Sequence, residues 1–232
     1  MFPLRDTIRG RSIPFVTWLL IAVNTLVFLY ELTLGSQGSE ALFQSFALIP
    51  ARLSLASPLS FATLLTSAFL HGSWFHLISN MWTLFIFGDN VEDRMGSGRY
   101  LVFYLTAGVV AGLVEAFFGS GSTLPTVGAS GAIAGVLGAY FVLFPHSRVI
   151  TFIPVFILPW LVEIPAIFYL GIWFLSQLSS GLLDLGAAGS FSGIAWWAHI
   201  GGFAFGLVLG WALARRWVRA HQVYYRDEYW PW

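Results

Sequence analysis

Apolar residues fall into six runs, at 14–34, 73–88 (or from 62), 100–118, 127–144, 164–180 and 195–214. A helix crossing a bilayer needs ~20 mainly apolar residues. Several runs are shorter, which a bundle tolerates where it thins the bilayer or holds water. Three segments break the pattern. Residues 35–60 read as a long external loop with Pro50 and Pro58, apolar enough (Leu42, Phe43, Phe46, Leu48, Ile49) to lie in the membrane interface. The stretch 149–163 is apolar but carries Pro154 and Pro159, and reads as an interfacial segment before span five. Residues 181–194 are rich in Gly, Ser and Ala and read as a mobile external loop.

Composition agrees with a membrane-embedded chain. Of 232 residues, 57% are hydrophobic and 9% charged, against roughly 25% charged in soluble domains. The expected fold class is an all-α membrane protein of six spans with a large first external loop. One domain is expected, 13–214, between a short cytoplasmic segment 1–12 and a cytoplasmic tail 215–232. The first run is longer than a signal-peptide core and lacks a small-x-small site, so it reads as an uncleaved span. Without cysteine there is neither a disulfide nor thiolate chemistry. All eleven basic residues are arginine. An even span count with both ends cytoplasmic puts ten of them (Arg5, Arg9, Arg11, Arg94, Arg99, Arg148, Arg215, Arg216, Arg219 and Arg226) on the inner side and only Arg52 outside, the positive-inside asymmetry. The protein is expected in the cell membrane. Trp196, Trp197, Trp211 and Trp217 fit interfacial belts.

Spans two, four and six all run from outside to inside, and each carries its polar residues near its start. His76 and Asn80 stand four apart and share a helix face. Ser130 heads span four and His199 lies about one turn into span six. A serine hydroxyl becomes a nucleophile when a base takes its proton, and histidine is the usual base. The oxyanion of acyl transfer needs fixed donors, which His76, Asn80 and the Ser130 backbone N–H could supply. Asp184 is the one carboxylate in the loop before span six, and nothing puts it on His199, so a two-residue Ser–His pair is the economical reading. Gly128, Gly131, Gly135 and Gly138 on span four, and Gly202, Gly206 and Gly210 on span six, let two helices touch backbone to backbone.

At these residues the chain resembles the rhomboid family of intramembrane serine proteases. His76-Leu-Ile-Ser-Asn80 is similar to the family's HxxxN, Gly128-Ala-Ser-Gly131 to its GxSG, and Ala198-His-Ile-Gly-Gly202 to its histidine–glycine segment. Glu92-Asp-Arg-Met-Gly-Ser-Gly-Arg-Tyr100 is similar to its second internal loop. The resemblance covers nearly all of 12–214. It implies a six-helix bundle with a water-filled cavity open to the outside, single-span membrane proteins as substrates, and gating by span five and the following loop. Ser130 would be nucleophile, and His199 general base and acid. Two departures stand out. Ala51 precedes Arg52 where many relatives have a tryptophan. Ala134 stands where some relatives carry an aromatic that packs on the histidine, so Trp196 or a span-two side chain must orient His199 instead.

Plainer readings compete. Ser130 alone would be a packing serine and His199 an interfacial histidine. His71 and His76 lack a third metal ligand; His71, His146 and His221 read as surface residues. Glu115 reaches water near the outer end, Glu163 caps span five, Glu92 makes a structural contact, and Phe168, Trp173 and Phe174 face lipid. No cofactor, metal or nucleic acid is expected; the partners are the lipid bilayer and transmembrane substrates. The alternative functions are an inactive rhomboid-like protein that binds membrane helices, and a small transporter, against which no repeat or central carboxylate pair appears.

Overall fold

A computed structural model describes residues 2–8, 10–155, 158–186 and 194–220. Arg9, Arg226, residues 187–193 and those from 221 lie outside the described residues, and 181–186 of the expected loop 181–194 belong to a helix. Eight helices are described: α1 (Phe15–Thr33), α2 (Gly35–Phe46), α3 (Thr63–Thr66), α4 (Trp74–Met95), α5 (Ser97–Phe118), α6 (Ser130–Leu143), α7 (Ala166–Gly186) and α8 (Trp196–Ala220). The six apolar runs correspond to α1, α4, α5, α6, α7 and α8. By length and apolarity alone, α1, α5 and residues 166–185 of α7 suffice to cross a membrane.

α6 is the centre of the bundle. Every residue from Gly131 to Tyr140 is buried, surrounded by α4, α5 and α8. Glycine decides how close α8 comes. A methyl group at Gly202 would fall on the carbonyl of Gly131, at Gly206 on that of Gly135, and at Gly138 on that of Phe203. The matched order of these contacts makes α6 and α8 parallel. Small-residue stripes permit this approach, and dispersion between backbones then replaces side-chain interlocking.

Helix ends are tied by neighbours. The Glu92 carboxylate, 1% exposed, accepts from the Val16 and Thr17 N–H groups (2.9 and 2.8 Å), the Thr17 hydroxyl (2.8 Å) and the Ser97 hydroxyl (2.6 Å). It thus satisfies orphan donors at the start of α1 and binds α1, α4 and α5 together. Gly96, at φ +81°, separates α4 from α5. The Ser73 hydroxyl caps α4 by accepting from His76 N–H (3.2 Å).

The all-α expectation omits a three-stranded antiparallel sheet, in the order β1 (Phe2–Asp6), β2 (Arg148–Val155), β3 (Leu158–Pro165). The stretch 149–163, expected as an interfacial segment, forms the paired strands β2 and β3. Val149, Ile150, Thr151, Phe152 and Ile153 are mostly β-branched or aromatic, which suits a pleated surface. Glu163 pairs with Arg148 across the strands at 3.8 Å and does not cap α7, which begins at Ala166. Residues 2–6 are held to the bundle, since Trp82 Nε1–H donates to the Pro3 carbonyl (2.7 Å). The first loop is also ordered: α2 and two short 3-10 turns, at Pro50–Arg52 and Pro58–Ala62, occupy it, and Arg52 donates to the Gln44 carbonyl (2.7 Å) and its side-chain oxygen (2.5 Å).

Asp6 closes the sheet onto the bundle. Its carboxylate accepts from Tyr140 Oη (2.5 Å) and Asn90 Nδ2 (2.7 Å). Burial, opposed by the Tyr140 bond and reinforced by the nearby Asp89 carboxylate, pushes its pKa up to about 7. Between its ordinary value of 3.8 and about 7, the folded state holds a proton that the unfolded state has released. Stability is therefore fully present below that window and falls as pH rises through it. The thermal midpoint in detergent should drop between pH 4 and 7, and Asp6→Asn should flatten that slope. Gly206→Val should lower stability by about 1–3 kcal/mol through overpacking, read as a lower midpoint in the same assay.

Candidate active site

The close contact of α6 and α8 brings two side chains together. Ser130 is the first residue of α6, and His199 lies in the first turn of α8. Ser130 Oγ stands 2.8 Å from His199 Nε2. On the other side of the ring, Nδ1 is 2.8 Å from Gln177 Oε1. The imidazole also lies between two indoles, with ring centroids 5.9 Å from Trp173 and 6.2 Å, edge-on, from Trp196. Trp173, half-buried, therefore borders this site as well as the surface of the bundle, whereas Phe168 is 63% exposed on the outer face.

His76 and Asn80 reach the same place from α4. Gly128, two residues before Ser130, has φ +122°, and a Cβ there would lie 2.6 Å from the His76 ring and 3.6 Å from Asn80 Nδ2. Glycine at 128 serves twice, since a side chain would be strained by backbone and blocked by histidine. The Gly128 N–H is already engaged, donating to the Ser67 carbonyl (2.9 Å). Asn80 Nδ2 stands 3.1 Å from His71 Nε2, and the His71 and His76 rings meet edge to face at 5.1 Å. His71 is 1% exposed, not solvated. Its backbone N–H donates to the Glu31 carboxylate (3.2 Å), which anchors the turn before α4 to α1.

Helix N-termini carry partial positive charge and unpaired N–H groups. Two in this bundle receive a carboxylate, α1 from Glu92 and α8 from Glu115, whose Oε2 accepts from Ala198 N–H (2.9 Å). Glu115 thus holds the helix that carries His199 rather than simply reaching water. The N-terminus of α6 has no side-chain cap. It opens on a cleft of about 30 Å³ lined by Ser67, Gly128, Ser130, Gly131, Ala195 and Ala198, space of roughly one water molecule. Among the described residues no group of three His, Asp or Glu side chains could hold a metal ion.

Of the residues singled out in the sequence, Ser130, His199, His76, Asn80 and Gly128 converge, while Gly131, Gly135, Gly202 and Gly206 form the seam behind them. Gln177 was not among them. An amide isolated in an apolar run carries no motif, and a carboxylate is the usual partner of a catalytic histidine. Asp184 belongs to the last turns of α7, which extends to Gly186, two turns beyond Gln177.

A bundle of apolar helices with outward Phe15, Trp18, Leu175 and Leu183, closed around a serine–histidine contact, defines an integral membrane protein. The rhomboid domain family matches residues 58–216, and the chain belongs to the rhomboid family. It is similar to the mitochondrial Rhomboid protein 1 of Saccharomyces cerevisiae, 29% identical over 157 residues, which are 66% of this chain and 42% of that protein. It is similar to the mitochondrial presenilin-associated rhomboid-like protein of Mus musculus, 31% identical over 140 residues (59% and 35%). The rhomboid protease GluP of Bacillus subtilis is 34% identical over 127 residues (54% and 24%). The matches therefore span less than half the length of each of these relatives.

Gly128→Ala should cost about 1–3 kcal/mol from the strained backbone conformation, with a lower thermal midpoint in detergent. Gly171→Ala, where the nearest heavy atom to an added methyl is 3.9 Å away, should stay near wild type.

Proposed function

We propose that this protein is an intramembrane serine endopeptidase that cuts single-span membrane proteins in or near the bilayer through an acyl-enzyme. The observation that carries this reading is the 2.8 Å contact of Ser130 Oγ with His199 Nε2. In the first step His199 Nε2 takes the hydroxyl proton as Oγ attacks the scissile carbonyl. The oxyanion then forms beside the uncapped start of α6, where the Ser130 N–H, His76 and Asn80 are the proposed donors. His199 returns its proton to the leaving amine. A water molecule, deprotonated by the same histidine, attacks the acyl-enzyme and releases Ser130.

Six helices, α1 and α4 to α8, cross the membrane in this reading, and residues 13–214 form the catalytic unit. The arginine distribution supports cytoplasmic termini and a site open to the outer side. α6 fits this arrangement because its 14 residues rise only about 21 Å, short of a hydrocarbon core of ~30 Å. Ser130 then lies below the outer surface, at the end of a shortened helix, within reach of water. The cell membrane is the location in this reading, with relatives named as mitochondrial proteins and others from bacteria. Because the bonded serine and histidine are both present, an inactive helix-binding protein is the weaker reading.

Cleavage of a model transmembrane substrate in proteoliposomes tests this directly. Ser130→Ala and His199→Ala should each lower the rate at least about 10³-fold and abolish fluorophosphonate labelling. Asn80→Ala should reduce kcat about 10²-fold, the lower end for losing an oxyanion donor. Retained cleavage in Ser130→Ala would reject the assignment.

A further inference from the structure

We infer that Gln177 on α7 is the positioning residue for His199, holding its imidazole in the one tautomer that can accept a proton from Ser130; this rests on the serine–histidine reading above. A neutral histidine has one N–H, and which nitrogen carries it depends on what the other one faces. Nε2 faces Ser130 Oγ at 2.8 Å, and Nδ1 faces Gln177 Oε1 at 2.8 Å.

An amide could present either its oxygen or its nitrogen to Nδ1, and the surrounding bonds decide which. The Trp173 carbonyl can only accept. The Ser176 hydroxyl donates its proton to that carbonyl (2.6 Å), which leaves the Ser176 oxygen as an acceptor. Gln177 Nε2 contacts both, the Ser176 oxygen at 2.9 Å and the Trp173 carbonyl at 3.3 Å. The amide nitrogen therefore belongs on that side, and Oε1 is the atom turned toward His199. Oε1 cannot donate, so Nδ1 must carry the proton. Nε2 is then left with its lone pair toward the serine hydroxyl, as a base requires.

Three further observations agree. Gln177 is 7% exposed, so an unbonded amide there would carry a desolvation cost. Ala134 offers no ring to pack on His199, so orientation must come from elsewhere. Asp184 stands seven residues further along α7, about 10 Å along its axis, too far to take the place of Gln177 at Nδ1. The Trp173 and Trp196 rings limit how the imidazole tilts, but neither offers an acceptor to Nδ1. Because Gln177 sits on α7 and Ser130 on α6, the base is held correctly only while α7 is seated against α8.

The experiment uses the full-length protein in proteoliposomes, with kcat, KM and the pH–rate profile measured for Gln177→Met and Gln177→Glu. Ser130→Ala and His199→Ala serve as controls. Methionine keeps the length and volume but accepts no comparable hydrogen bond. It should lower kcat roughly ten- to a hundredfold, less than loss of the base itself, with KM nearly unchanged and folding retained. Glutamate accepts the same Nδ1 proton and, when ionised, stabilises the imidazolium. It should bring kcat back to within several-fold of wild type and move the acid limb of the profile to higher pH. A purely packing role predicts near wild-type kcat in both variants, since each fills the same volume, and no movement of that limb in Gln177→Glu; an unmoved limb would overturn the inference. Wild-type kcat in Gln177→Met would overturn it as well. If the two control variants stay active, it is the serine–histidine reading that fails; if they are dead and Gln177→Met is not, this inference alone fails.

Discussion

The bundle depends on one backbone contact, the parallel seam between α6 and α8. In a membrane no hydrophobic force distinguishes a neighbouring helix from lipid, so association needs close, well-matched surfaces. Glycines 138, 202, 206 and 210 supply them by removing the side chains that would keep the backbones apart, while Gly131 and Gly135 offer their carbonyls to α8 and make room for Ala111 and Ala107 of α5. This seam sets the distance between Ser130 and His199, each near the start of its helix. A wider spacing would separate the hydroxyl from the imidazole without altering either residue.

The treatment of helix N-termini follows from the same crowding. Where α1 and α8 begin, carboxylates from α4 and α5 reach across to occupy their free N–H groups. Each such bond joins two helices and satisfies donors that lipid would leave unpaired. α6 begins on a cleft instead, with Gly128 placing its chain against His76. The Ser130 hydroxyl, the proposed nucleophile, stands at this uncapped helix start.

The opposite end of the bundle is closed by the sheet, and Asp6 connects the two. Its bond to Tyr140 runs from β1 to the far part of α6. A strand contributed by the first residues of the chain thus contacts the helix that carries Ser130. The connection is long range, Asp6 to Tyr140, and no local pattern announces it.

Much of this was legible in the sequence because bilayers impose strong rules. Apolar runs located α1 and α4 to α8 to within a few residues at most ends. Gly128, Ser130, His199, His76 and Asn80 stood out as polar or glycine positions at one depth, and the rhomboid resemblance gathered the same residues. The sequence by itself thus determined where the six long apolar helices form, though not α2, and offered a serine and a histidine for chemistry. Only the tertiary structure decided how those side chains are held. His71 looked solvated because its burial depends on α1 and α4 closing over it. The strands within 149–163 were not legible, because β1, the strand that pairs with β2, lies over 140 residues away. Gln177 looked like one stray amide, since its meaning lies in the angle at which α7 meets α8. Local propensity and hydropathy act over a few turns, whereas hydrogen bonds between distant segments exist only once the helices have packed.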